Sequence, residues 1–279
     1  MALLRNLYYK LTPGQRLFAR RLVYFPIDLF RKRSDMEPPK GKIFVGSGDF
    51  ISHGKNTLEL FKQHGGLLPG HNVLDIGSGI GRMAVPLTSY LDKTSRYEGF
   101  DIVKDGVDWC KKNITSKFSN FNFTHVDLKN DLYNLNTEKK ASSYIFPYQN
   151  DSFNFVFLTS VFTHMMPDDM DHYLSEINRV LKNNGTCFAT FFIYDQNSPE
   201  KYTNKGITFT FEKEKDFSLY DTNVKEANIC FKKEYLYNTI RKKKFSVENF
   251  IEGWWTDGVK KDSATDYQDI LILKKKNSL

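Results

Sequence analysis

Between residues 58 and 193 the apolar positions fall into short unbroken runs separated by longer stretches with helical spacing. The runs at 72–76, 97–102, 121–126, 153–159 and 185–193 are short and rich in β-branched and aromatic residues, which predicts buried strands. Helical spacing fits 81–91, 104–116 and 168–182, and a further helix at 58–62 is closed by Gly65-Gly66. Two later runs, 245–251 and 267–273, bring the strands to seven, the last one running into Lys274-Lys275-Lys276. Such alternation predicts an α/β fold, a doubly wound and mostly parallel seven-stranded sheet covered by helices.

The flanks depart from this rhythm. Residues 1–33 mix Leu, Tyr and Phe with eight basic residues, opposed only by Asp28. Two readings stand: a helical extension that packs an apolar stripe on the main domain and solvates its arginines, or a segment that lies on an anionic membrane surface or docks on a partner. Pro38-Pro39 forbids a helix in the linker that follows, so the division expected is a basic extension over 1–39 and a main domain over 40–279. Residues 195–245, rich in Lys, Glu, Asn and Thr, interrupt the pattern after the fifth strand. An insertion there lies where open sheets bind ligands and is read as a lid or a solvated surface hairpin.

Composition narrows the class. With 279 residues, 24 Phe and 15 Tyr, there is enough apolar material for a sizeable core, which excludes a disordered chain. Cys110, Cys187 and Cys230 are odd in number and widely spaced, which argues against a disulfide framework and against a cysteine-built metal site. No run approaches the roughly 18 apolar residues of a membrane-spanning helix, and no signal peptide is recognisable, so a cytoplasmic location is expected. The net charge of +7 is compatible with phosphate-rich or membrane surfaces.

The chemistry concentrates in NVLDIGSGIGRM at 72–83. Gly77, Gly79 and Gly81 let the backbone turn sharply and approach a ligand, and the helix that follows presents free N–H groups. The third glycine of a dinucleotide-binding loop would stand at position 82, which is Arg82. Asp75 precedes the loop, where it could meet a cationic ammonium group. Asp101 ends the second strand, placed for ribose hydroxyls, and Asp127 follows the third, placed for an adenine amino group. Each alone could cap a helix. Three acids in register on one sheet edge point to a nucleoside-like cofactor.

With VLDIGSGIG at 73–81, YEGFD at 97–101, HVD at 125–127 and FNFVFLTSVFTHM followed by YLSEINRVLKNNGTCFATFF, the sequence resembles the class I S-adenosylmethionine-dependent methyltransferases, a Rossmann-like fold. The resemblance covers residues 43 to 193 and implies S-adenosylmethionine as cofactor. It implies that Asp75, Gly77, Ser78, Gly79 and Gly81 hold the methionine portion, Asp101 the ribose, and Ile102 one adenine face. It assigns the adenine amino group to Asp127, with Leu128 beside it, and completion of the methionine site to Thr159 and Ser160.

The acceptor is narrowed mainly by absence. No Asn-Pro-Pro-Tyr or Asp-Pro-Pro-Tyr follows the fourth strand, no cysteine follows a proline, and no RNA-binding module is recognisable, so nucleic acid is disfavoured. His164, just after the fourth strand, could deprotonate a hydroxyl or serve as a structural residue; Asp195 is the second candidate base. His53 and Asp49 could close over the cofactor, and Trp254 and Trp255 could form an apolar wall or part of the core. The expectation is methyl transfer to a small molecule or glycan, at oxygen, with peripheral membrane contact through the basic N-terminus. An RNA or protein methyltransferase, a non-catalytic cofactor-binding scaffold and an NAD-dependent oxidoreductase remain as alternatives.

Overall fold

A strand covered on both faces carries no solvent-facing side, and Val73–Ile76 (β1) is buried at every position. In the computed structural model, which describes residues 11–44, 46, 48–202, 207–209, 215–263 and 265–276, β1 lies between two parallel neighbours, Tyr97–Asp101 (β2) and Phe153–Leu158 (β4). Phe121–His125 (β3) pairs with β2, and Leu181–Phe191 (β5) with β4, again in parallel. Asp269–Lys275 (β10) is antiparallel to β5 and to Phe245–Ile251 (β9), giving one sheet in the order β3-β2-β1-β4-β5-β10-β9. The order reverses between β1 and β4, and ligands of such sheets bind outside the carboxyl ends at that reversal.

Side-chain alternation along the strands builds two cores. Val73, Phe155, Phe157 and Phe188 face one side with Leu60 and Phe61 of Phe50–Gln63 (α2), Leu87 of Ala84–Leu87 (α3) and Val107 of Lys104–Cys110 (α4). Leu74, Ile76, Val156 and Leu158 face the other, against Leu174 and Ile177 of Pro167–Val180 (α5) and Leu236 and Ile240 of Lys233–Lys242 (α6). The doubly wound, mostly parallel sheet expected from the sequence is thus present.

Local departures have local causes. Helix α2 starts eight residues before the 58–62 segment, because Asp49 caps it, Oδ1 accepting from the Ser52 N–H at 2.8 Å. The helical stretch 104–116 becomes α4 followed by a π turn at Lys111–Thr115. The strand read at 185–193 begins earlier, at Leu181, and breaks at Phe192; Ile193–Tyr194 (β6) leaves for a second small sheet with Phe217–Leu219 (β7) and Ile229–Lys232 (β8). Asp269 holds that junction. Its buried carboxyl accepts from the N–H groups of Ile193 and Gly253, both at 2.9 Å, and from the indole Nε1 of Trp255 at 2.7 Å. Trp255 is therefore core, edge-on to Phe192 at 5.1 Å, while Trp254 packs on Tyr267 at 4.4 Å between ring centroids.

Pro13–Phe30 (α1) opens with a capping box between Thr12 and Gln15. Its orientation reverses the first sequence reading. Arg16 is buried and donates to the Leu132 carbonyl at 3.0 Å, and Asp28 accepts from the N–H groups of Lys40 and Gly41 at 2.7 and 2.8 Å, so these two polar residues turn inward.

Asp75 lies on the α2–α4 face of β1, 1 % exposed, and its carboxyl accepts from the Tyr97 hydroxyl. Desolvation pushes its pKa up to about 8, and that of Asp269 to about 7. A carboxyl that titrates higher in the folded than in the unfolded chain binds its proton preferentially in the native state. Its contribution is therefore greatest below the unfolded value near 3.8 and is lost as pH rises toward about 8. Thermal unfolding followed from pH 5 to pH 9 is expected to show falling stability, with a shallower fall in Asp75→Asn, which cannot ionise; an unchanged slope would contradict the assignment.

Candidate active site

Because β1, β2, β3 and β4 run parallel, the residues that follow each of them emerge on one edge. The loop after β1 crosses this edge as bare backbone. Gly77, Gly79 and Gly81 have φ of +78°, +56° and +81°, a region that residues with a Cβ rarely occupy. At Gly77 a Cβ would overlap Val161 beyond β4, and at Gly81 it would crowd Cys110 and Ile114. Ser78 is buried, turned toward Gly99 of β2.

Hydrogen bonds tie this loop to β2. The Gly77 and Ser78 N–H groups donate to the Phe100 carbonyl at 2.9 and 3.0 Å. Asp101 supplies the stronger clamp: Oδ2 accepts from Gly79 N–H and Oδ1 from Val103 N–H, each at 2.7 Å. One carboxyl thereby fixes the turn after β1 and the turn after β2. Burial pushes its pKa up, partly offset by these backbone bonds and by His125. Ile102, half-buried, follows, its carbonyl within 3.2 Å of His125 Nε2.

Asp127 is exposed beyond β3, where its Oδ1 accepts from the Asn134 amide at 3.0 Å, and Leu128 is buried beside it. After β4, Thr159 is half-buried and Ser160 takes φ of +58°. The Ser160 N–H donates to Thr190 Oγ1 at 2.7 Å and its hydroxyl to Gln268 Oε1 at 3.0 Å. A non-glycine residue in this region stores backbone strain, as functional turns often do.

His164 reaches the same edge through a single turn of 3₁₀ helix, Phe162–His164. Its Nδ1 lies 2.9 Å from the Glu226 carbonyl, and the Asn130 amide donates to its own carbonyl at 3.1 Å. A carbonyl only accepts, so Nδ1 carries the proton and the neutral ring keeps its lone pair on Nε2. Burial lowers the pKa, which favours this neutral form. His164 lines a cavity of about 210 Å³ with Val103, Tyr133, Ala227 and Asn228, together with Pro13, Arg16 and Leu17 of α1.

The remaining candidates sit apart from that cavity wall. Asp195 Oδ2 pairs with Lys233 Nζ at 2.7 Å, which holds its carboxyl below the usual range. Asp49 is occupied as the cap of α2. His53 follows on that helix, where burial and Arg82 lower its pKa. Arg82 is buried with its guanidinium over the Phe50 ring.

Compared with known families, residues 74–189 match the model of a methyltransferase domain. This stretch is a class I S-adenosylmethionine-dependent methyltransferase domain. Solved structures with the same fold include a SAM-dependent methyltransferase from Methanosarcina mazei, 20 % identical over 77 % of this chain and 97 % of the other, with a TM-score of 0.50. A protein from Pyrococcus horikoshii is 16 % identical over 85 % and 95 %, with a TM-score of 0.54. The 1,6-didemethyltoxoflavin-N1-methyltransferase of Burkholderia thailandensis, solved with bound 1,6-didemethyltoxoflavin and S-adenosylhomocysteine, is 14 % identical over 96 % and 92 %, with a TM-score of 0.51.

The cofactor of the methyltransferase domain is S-adenosylmethionine, and the glycine edge fits a polar group: the buried Ser78 Oγ in the turn has no hydrogen-bond partner among the described residues. Two residues of the edge escaped the sequence reading. Glu226 lies in the insertion, its Oε2 accepting from Asp131 N–H at 2.6 Å, and burial pushes its pKa to about 7. Gly106, on α4, packs so close to the loop that a Cβ would overlap the Gly79 carbonyl. Neither had a sequence signal, since each acts through a partner distant in the chain.

Gly106→Ala is expected to cost the domain about 1–3 kcal/mol of stability through overpacking against a backbone that cannot rotate away. Amide exchange at Gly79 and Val103 should accelerate in Asp101→Ala well beyond exchange in the β4 strand. Equal protection of both amides in the variant would show that the clamp is not what holds the loop.

Proposed function

We propose that this methyltransferase acts on a hydroxyl of a small molecule or glycan. Transfer from a sulfonium needs in-line placement, and an oxygen acceptor must also lose its proton. The observation that carries the reading is His164: neutral, its tautomer set by the Glu226 carbonyl, and in the wall of a cavity at the carboxyl edge. In this reading Nε2 takes the hydroxyl proton. Asp195, paired with Lys233 within the 195–245 insertion, is the second choice of base, and that insertion would serve as a lid.

The cofactor, when bound, supplies a methyl group on a positively charged sulfur. Gly77, Ser78, Gly79 and Gly81 would hold its methionine portion with Thr159 and Ser160, over the buried Asp75. Asp101 would meet the ribose, Ile102 and Leu128 would flank the adenine, and Asp127 would accept from its amino group. The basic 1–39 extension would place the 40–279 domain against the inner face of a membrane, where lipid-linked glycans are built.

Incubating the chain with methyl-labelled cofactor and a cell extract, then separating glycan, metabolite, RNA and protein pools, tests the acceptor class. Label in glycans or metabolites is expected. Label confined to RNA or protein would overturn the acceptor assignment, and label nowhere would favour a non-catalytic scaffold. With an acceptor found, His164→Gln is expected to lower kcat about 100-fold or more. The wild-type rate should fall on a single proton only at pH below the ordinary imidazole value, and that acid limb should vanish in the variant.

A further inference from the structure

Helix α1 is inside out. Its i, i+4, i+7, i+11 stripe of Phe18, Leu22, Phe25 and Leu29 is about 60 % exposed at each position, and Val23 and Phe30 beside it are 70 % and 87 % exposed. Of the 11 large hydrophobics exposed among the described residues, seven lie on this helix. Arg16 and Asp28 meanwhile meet the protein, on the Leu132 carbonyl and on the backbone of Lys40 and Gly41, and the exposed Arg21 pairs with Asp105. An amphipathic helix normally packs the other way round, its apolar face on the core. Scattered exposed hydrophobics need no explanation, but one continuous stripe held outward by polar anchors does.

We propose that this face docks on the surface of an anionic lipid bilayer, which deepens the membrane contact in the reading above and rests on it. Charge decides the occupant. The apolar face is followed at once by Lys32 and Arg33, both exposed, while the helix's one acid, Asp28, is consumed as an inward cap. A second copy seated on the same face would meet Lys32 and Arg33 with a helix that offers no acid to pair them, its one acid being turned inward, since a two-fold interface sets the same surface against itself. Anionic headgroups instead meet apolar side chains and cations together, the combination that holds interfacial helices. The opposite side of the helix, through Pro13, Arg16 and Leu17, walls the His164 cavity. The element that meets the lipid therefore also bounds the acceptor site, and an acceptor carried in the bilayer would reach that site along α1.

Flotation of the full chain with phosphatidylcholine vesicles, with and without phosphatidylglycerol, tests the proposal. Binding is expected only to the anionic vesicles and should weaken as salt shortens the reach of the charges. Leu22→Asp/Leu29→Asp and, separately, Lys32→Glu/Arg33→Glu should each weaken it about tenfold or more. All variants should keep the native melting temperature and the native affinity for S-adenosylhomocysteine in solution, so that failure to dock is separable from failure to bind cofactor. A chain that floats with neither vesicle, or with both equally, would overturn the proposal. So would a dimer that Leu22→Asp/Leu29→Asp dissociates, which would make the second copy the occupant.

Discussion

The carboxyl of Asp101 sets the geometry of the whole edge. Two charge-assisted bonds of 2.7 Å from one side chain fasten the glycine turn after β1 to the turn after β2. Without them Gly79, free to adopt many conformations, would have no partner on β2 to fix it. Gly106 presses on the same turn from α4, and Val161 does so from beyond β4. Preorganisation of this kind is what lets a bare backbone recognise a small ligand, since a loop that must order on binding gives up affinity to conformational entropy.

Much of this was legible in the sequence because it is locally encoded. β2, β3, β4 and β9 lie within a residue or two of the apolar runs that announced them, and the glycines fall where the turn demands positive φ. What could not be read depends on contacts between distant segments. The break of the fifth strand at Phe192 follows from Asp269, 77 positions away from Phe192 in number, whose carboxyl takes the Ile193 N–H into a different hydrogen-bond direction. The β6-β8-β7 sheet pairs strands too short to stand out in a Lys-rich stretch.

Asp101 illustrates the same limit within the site. Its position after the second strand suggested a ribose contact; its first role in the fold is to hold the loop. Asp75 was read as facing an ammonium group, and the structure buries its carboxyl against Tyr97 instead of bringing it onto the edge. For α1 the composition left two orientations open, because a helix with both arginines and phenylalanines has two faces and the sequence does not say which one the core receives. Arg16 and Asp28 decide it through backbone groups of Leu132, Lys40 and Gly41, contacts with no local signature.

The proposed cofactor site depends on the Asp101 carboxyl holding the Gly79 and Val103 turns in place. Calorimetric titration of S-adenosylhomocysteine into the wild-type chain and into Asp101→Ala tests it most directly. Saturable one-to-one binding to the wild type and a loss of about tenfold or more in the variant are predicted, as expected when a charged, buried hydrogen-bond partner is removed. Equal affinity in both proteins would contradict it.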